Sequence, residues 1–327
     1  MASTEGRRVA FNLKRDGTVV IIRAVRGRRS RRKEPIVIPK TSGKRTAPKD
    51  RPTSWWLDML RRRATRMYEE KLDLSQPIEW ESEAEREAAI RFFNAAYRAE
   101  ESGLRQAHEL AEEVAAFDPE LAETLRLYGN EEGWHRELLT EFLAHIGGDI
   151  RPMGRVTGTF YKLYGRAERM ESIVLTNLMF ETIGSTTYRL ALGRARPHPS
   201  IRQMLTILTR DESFHVPLNV HFLREILKRA PWSSRIRLKA IYHLLYVTLI
   251  GSAAASRRVA QAFDHITFKE MATAYAEYLG RLFIQESDFA LSPSPIVLRA
   301  FGLSRDRLAR DDGGPSMVSV AAAEQAV

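Results

Sequence analysis

From residue 52 to about 303 the apolar residues recur three and four positions apart, the period of helices that each turn one face inward. Helices are expected over roughly 54–72, 82–117, 119–146, 159–192, 199–228, 233–263 and 267–289. Local chemistry supports these boundaries. Ser82-x-x-Glu85 and Thr267-x-x-Glu270 read as capping boxes, Asp118-Pro119 places a proline where its missing N–H does no harm, and Gly147-Gly148 stops the preceding helix. In the leading helix Trp55, Trp56 and Met59 are expected to dock inward, with Arg61, Arg62 and Arg63 wrapping outward. The first 51 residues read differently: Val9–Leu13 and Thr18–Val25 alternate around Lys14-Arg15-Asp16-Gly17, a β-hairpin signature with Asp-Gly at the turn. The chain is therefore expected to be all-α, a four-helix bundle with additional flanking helices. Its parts would be an N-terminal arm (1–51), a helical domain (52–303) and a flexible C-terminal tail (304–327).

What breaks the apolar pattern is a set of acids and histidines on inward faces. Leu125, Tyr128, Glu132, His135, Leu139 and Phe142 share one stripe; Leu205, Leu208, Glu212, His215, Asn219 and Phe222 share another; Glu181 aligns with Val174, Leu178 and Tyr188. Carboxylates buried without partners cost several kcal/mol each, and metal cations compensate that charge directly. One Glu-x-x-His tetrad is weak evidence, but two stand 80 residues apart, Glu132–His135 and Glu212–His215, and Glu101 and Glu181 each precede a tetrad by 31 residues. The series Glu, Glu-x-x-His, Glu, Glu-x-x-His is the ligand recipe of a carboxylate-bridged di-iron or di-manganese bundle. The first-helix ligand has two candidates. Glu101 keeps the 80-residue offset to Glu181 and is preferred; Glu100 lies on the cleaner apolar line of Phe93, Ala96, Gly103 and Ala107. Glu131 and Asp211 are candidates to accept the free N–H of a ligating imidazole. His108 offers an extra contact, though a merely packed histidine is the plainer reading.

Net charge is +10, yet 16 Lys or Arg against 4 Asp or Glu fall within residues 1–51, so the remainder sums to about −2. That basic arm is suited to an acidic carrier protein, an anionic surface or nucleic acid, or simply to solvation. The chain has no cysteine, which excludes disulfides, thiolate metal sites and a built-in iron–sulfur donor, so reducing equivalents are expected from an external electron donor or from the substrate. No apolar N-terminal signal is read, and the longest apolar run, about 240–255, is interrupted by His243, Thr248, Gly251 and Ser252. A cytoplasmic protein without a membrane span is expected.

The residues 130–139, Asn-Glu-Glu-Gly-Trp-His-Arg-Glu-Leu-Leu, resemble the second ligand helix of soluble acyl-carrier-protein desaturases. Phe180-Glu181-Thr182 with Tyr188, and Arg210-Asp211-Glu212-Ser213-Phe214-His215, are similar to the third and fourth ligand helices of that family and of aldehyde-deformylating oxygenases. The resemblance covers roughly residues 95–225 and identifies the ferritin-like di-iron superfamily. In the desaturases the first of two adjacent glutamates is the ligand, which points to Glu100; the rubrerythrin Glu-Ser pattern points to Glu101. It implies two iron ions, with manganese as an alternative, held by Glu101 or Glu100, Glu132, His135, Glu181, Glu212 and His215, with Glu132 and Glu212 bridging. The implied activity is O2-dependent oxidation of a small apolar or acyl substrate by desaturation, hydroxylation, N-oxygenation or deformylation, in a homodimer. A cavity lined by Phe92, Phe93, Tyr97, Leu138, Phe180 and Phe214 would suit such a substrate. Pro217, two residues past His215, and the hydroxyls of Thr182, Ser185, Thr186 and Thr187 are further candidates for a channel or oxygen pocket. The rival readings are an iron-storage or peroxide-scavenging protein of the ferritin or rubrerythrin kind, and a metal-free helical protein that binds through its basic arm.

Overall fold

The computed structural model describes residues 9–13, 19–23, 51–152, 158, 169–194 and 198–310. Two units separate, residues 1–45 and 46–327. In the first, β1 (Val9–Leu13) pairs antiparallel with β2 (Val19–Arg23), Val9 opposite Arg23 and Leu13 opposite Val19. The hairpin expected there is present; its turn lies outside the described residues.

The second unit is helical: α1 (Thr53–Glu69), α2 (Glu83–Ala115), α3 (Pro119–His145), α4 (Met170–Arg194), α5 (Pro199–Arg229), α6 (Trp232–Asp264) and α7 (Phe268–Gln285), then a 3-10 turn and two short helices, α8 (Pro295–Ala300) and α9 (Arg305–Ala309). The anticipated caps form. Ser82 accepts from the Glu85 amide at 3.2 Å, Asp118 from the Leu121 amide at 3.0 Å, and Thr267 and Glu270 complete a reciprocal box. Gly147, at φ 71°, ends α3 in the left-handed conformation that glycine takes without strain. Residues 305–309, expected to belong to a frayed tail, instead pack Leu308 into the core.

Helices α2 to α5 form the bundle, α2 pairing with α3 and α4 with α5; α1 lies against α3, and α6 and α7 cover α4. Two apolar clusters sit at different heights. Along α2 the chain passes from one cluster (Ala88 to Tyr97) to the other (Ala107 to Val114), and along α3 it returns in the reverse order. Helix α4 runs in the sense of α3 and α5 in that of α2. On all four helices the layer between the clusters is where the acids and histidines fall.

Candidate metal centre

Glu100 from α2, Glu132 and His135 from α3, Glu181 from α4, and Glu212 and His215 from α5 meet in that layer, each at most 9% exposed. Their ligand-type atoms fall into overlapping groups within 4.8 Å: Glu100, His135 and Glu212; Glu132, His135 and His215; Glu181, Glu212 and His215. His135 Nδ1 stands 3.4 Å from Glu100, and His215 Nδ1 lies 3.1 Å from Glu132 and 3.7 Å from both Glu181 and Glu212. Both imidazoles thus turn Nδ1 toward the carboxylates. Gly103 makes room for this: a Cβ there would stand 3.0 Å from a Glu132 oxygen.

Glu101, preferred on the 31-residue interval, is not in the cluster. It is partly exposed and accepts a 2.6 Å hydrogen bond from Arg98 one turn back. Helix phase decides, because one residue is about 100° of rotation, whereas the connections between helices have no reason to be equal in length. Glu100 continues the buried line of Phe93, Ala96 and Ala107.

The outer side of the imidazoles is crossed. His135 Nε2 donates to Asp211 at 3.1 Å, the residue before Glu212, while His215 Nε2 stands 3.5 Å from Glu131, the residue before Glu132. Each tetrad's leading acid therefore serves the other tetrad's histidine. Between Glu131 and Asp211 lies Arg63, expected to face outward but in fact fully buried. Its Nε donates to Glu131 at 3.0 Å and its Nη2 to both acids, 3.0 Å from Asp211, while its plane covers the Phe214 ring at 4.2 Å. Arg66 reaches Asp211 at 2.8 Å, and Arg210 joins Asp211 to Glu70. The signal was legible: Arg63 follows Trp56 and Met59–Leu60 at helical spacing, on the face that α1 buries. Tyr128, on the inward stripe of α3, is buried and its hydroxyl donates to Glu181 at 2.5 Å.

Electrostatics divides the site along the same line. Burial pushes the Glu100 carboxyl up to about 7; burial, then the neighbouring carboxylates, raises Glu132 and Glu212 well above the ordinary range. For Glu181 burial is outweighed by the hydrogen bonds from Glu212 and Tyr128 and by the nearby His215 charge, which hold it down at about 2. Burial disfavours a charged His215, but Glu132, Glu131 and Glu181 prevail and raise it well above its usual value. On the outer side burial opposes ionisation too, yet the Arg63 charge holds Glu131 at about 2, and hydrogen bonds from His135 and Arg210 hold Asp211 well below its usual value. Glu132 Oε1, Glu212 Oε2 and both His215 ring nitrogens are buried without an aligned hydrogen bond. Such atoms are costly to leave unmatched, and a carboxylate–imidazole donor set facing inward with spare lone pairs fits hard to borderline divalent cations.

Other sequence candidates fall elsewhere. His108 bonds Asn130 at 3.2 Å and His221 bonds Thr53 at 3.0 Å. Thr182, Thr186 and Thr187 return their hydroxyls to carbonyls one turn back. Helix α5 runs unbroken through Pro217. Phe92, Phe93, Tyr97 and Leu138 fill an apolar cluster and Phe214 packs on Trp56, so of the proposed cavity wall only Phe180 lines the opening beside the carboxylates. That opening, about 50 Å³, lies between α2 and α4 and reaches Glu100, Glu132, Glu181 and Glu212 past Ala99, Gly103, Phe180 and Tyr188, with Gln106 and Asn177 also on its wall.

Fold and site together define a class: the chain has a ferritin-like helical fold with a buried carboxylate–histidine centre. No family model and no curated sequence matches it. Among solved structures it is similar to Protein 19 with aldehyde deformylating oxidase activity from Synechococcus. The identity is 20% and the TM-score 0.50, over 71% of this chain and 97% of that one.

Proposed function

We propose that this protein is an O2-dependent di-iron oxidoreductase acting on a small, largely apolar substrate. The observation that carries the reading is that Glu132 Oε1, Glu212 Oε2 and His215 Nδ1, buried and turned inward, make no aligned hydrogen bond. Glu100, Glu132, His135, Glu181, Glu212 and His215 would hold two iron ions, which when bound supply the activation of O2. Asp211 and Glu131 fix the imidazole orientation from behind, so that Nδ1 is the nitrogen offered. Arg63 compensates both acids and so keeps them ionised in a dry site. Tyr128 holds one Glu181 oxygen by a hydrogen bond, leaving the other for a cation. The α2–α4 cleft supplies the approach, its Phe180, Tyr188 and Ala99 favouring an apolar group. Desaturation, hydroxylation, N-oxygenation and deformylation are all within reach of such a scaffold, and the choice among them lies with a substrate and an external electron donor.

Anaerobic Fe(II) titration of the whole chain tests the reading. About two ions per chain, followed by a near-ultraviolet band on O2 addition, is the expected outcome. Many ions per chain would indicate storage, and none a metal-free scaffold. His135→Ala and His215→Ala should abolish the uptake while His145→Ala leaves it intact.

A further inference from the structure

Helix α6 has a face that neither the bundle nor the site uses. Its inner side, Leu238, Tyr242, Leu245, Tyr246, Leu249 and Ala253, is buried in the main core. On the other side Trp232 is 75% exposed, Ile236 62%, Leu244 56% and Val247 57%. Steps of four, eight and three residues keep these four on one stripe, about 22 Å long at 1.5 Å per residue. Between Lys239 and Arg257 the helix has no charged residue, and its only acid is Asp264 at the far end. Exposed cations stand at both ends of the stripe: Arg235 and Lys239 near Trp232, Arg257 and Arg258 beyond the small residues Gly251, Ala254 and Ala255. None of the four forms an ion pair among the described residues.

We propose that the exposed face of α6 docks this protein on an anionic lipid surface. Charge complementarity selects the occupant. A second copy would meet α6 with the same surface turned end for end, because a twofold interface is self-complementary, and would then set the cations of one copy against those of the other with no acid between them. A folded protein partner would need a groove shaped to four protruding side chains in a row. A fluid bilayer accepts such a ridge at its headgroup level, where tryptophan and aliphatic side chains enter the acyl boundary and flanking lysine and arginine meet lipid phosphates. Seated in this way, α6 lies along the membrane surface with its inner face still packed on the bundle.

The test uses the full chain and vesicles of phosphatidylcholine alone or with one quarter phosphatidylglycerol. The basic arm can bind the same vesicles, so the informative variant keeps every cation and changes only the stripe: Trp232→Ser, Ile236→Ser, Leu244→Ser and Val247→Ser together. All four positions are exposed, and an unchanged circular dichroism melt confirms folding. The wild type should sediment with the phosphatidylglycerol vesicles and the variant at least tenfold less. Because the chain has no cysteine, Leu244→Cys accepts a single environment-sensitive fluorophore. Its emission should shift to the blue with phosphatidylglycerol vesicles, while a label at the exposed Glu141→Cys on α3 should not shift. Equal sedimentation of wild type and variant, no shift at position 244, or a wild-type dimer that the variant makes monomeric would each overturn the proposal, the last in favour of an interface between copies.

Discussion

The two sides of the His135–His215 pair are made of the same materials and are equally buried, but only one of them is finished. Outside the imidazoles, Glu131 and Asp211 meet Arg63, with Arg66 and Arg210 adding to Asp211, and the acids stay ionised. Inside, Glu100, Glu132, Glu181 and Glu212 face one another with no basic side chain among the described residues but the histidines, and three of the four carboxyls are pushed upward. Burial alone does not explain the difference, since it opposes charge on both sides. What differs is the source of positive charge, which the chain itself supplies outside and leaves to protons or cations inside.

Substitutions of opposite sign should break this contrast. Arg63→Met removes the cation shared by Glu131 and Asp211 and should cost about 3–5 kcal/mol in urea unfolding, the usual penalty for stranding a buried charge. A loss below about 1 kcal/mol would mean that Arg66 and Arg210 suffice on the outer side. On the inner side Glu132→Gln relieves carboxylate crowding and lets an amide donate to its neighbours. The metal-free chain should gain roughly 1–3 kcal/mol while iron uptake falls away, and equal losses for both variants would erase the distinction.

The pH dependence sharpens it further. A carboxyl raised in the folded state, as Glu100 is to about 7, gives up stability as pH rises from its unfolded value toward that point, and Glu132 and Glu212 extend the loss upward. The raised His215 acts in the same direction, its stabilisation being complete below its unfolded value near 6.5 and lost as pH climbs through the folded one. Glu131, Glu181 and Asp211, all lowered, contribute slope only in acid, and His221, held by burial at about 4, contributes only below about 6.5. Between pH 6.5 and 8.5 the chelated protein should therefore lose about 1–2 kcal/mol, read as a falling Tm, whereas Fe(II) affinity should rise over the same interval as protons leave the carboxyls. A flat Tm profile in chelator would contradict the inner-side account. The smallest effect belongs to the neighbour that faces away: Glu101→Gln should change stability by less than about 0.5 kcal/mol and leave iron stoichiometry untouched, whereas Glu100→Gln should lower it.

The sequence by itself determined the helical architecture and most of the cluster. Period, caps and breakers mark α1 to α3 and α5 to α7 to within a few residues; α4, expected from residue 159, begins at Met170, with 159–168 lying outside the described residues. The two tetrads with Glu181 stand out because polar groups on an apolar stripe require a reason. Only the tertiary structure decided between Glu100 and Glu101, turned Arg63 inward, crossed Glu131 and Asp211 to the opposite histidines, and filled the expected Phe92–Phe93–Tyr97–Leu138 cavity with its own side chains. The physical reason is one of range. Helix period and capping are settled within about a turn of chain, so they can be read along it. Which acid meets which base across a bundle depends on how four helices rotate and slide against one another, and that is fixed by packing summed over the whole core.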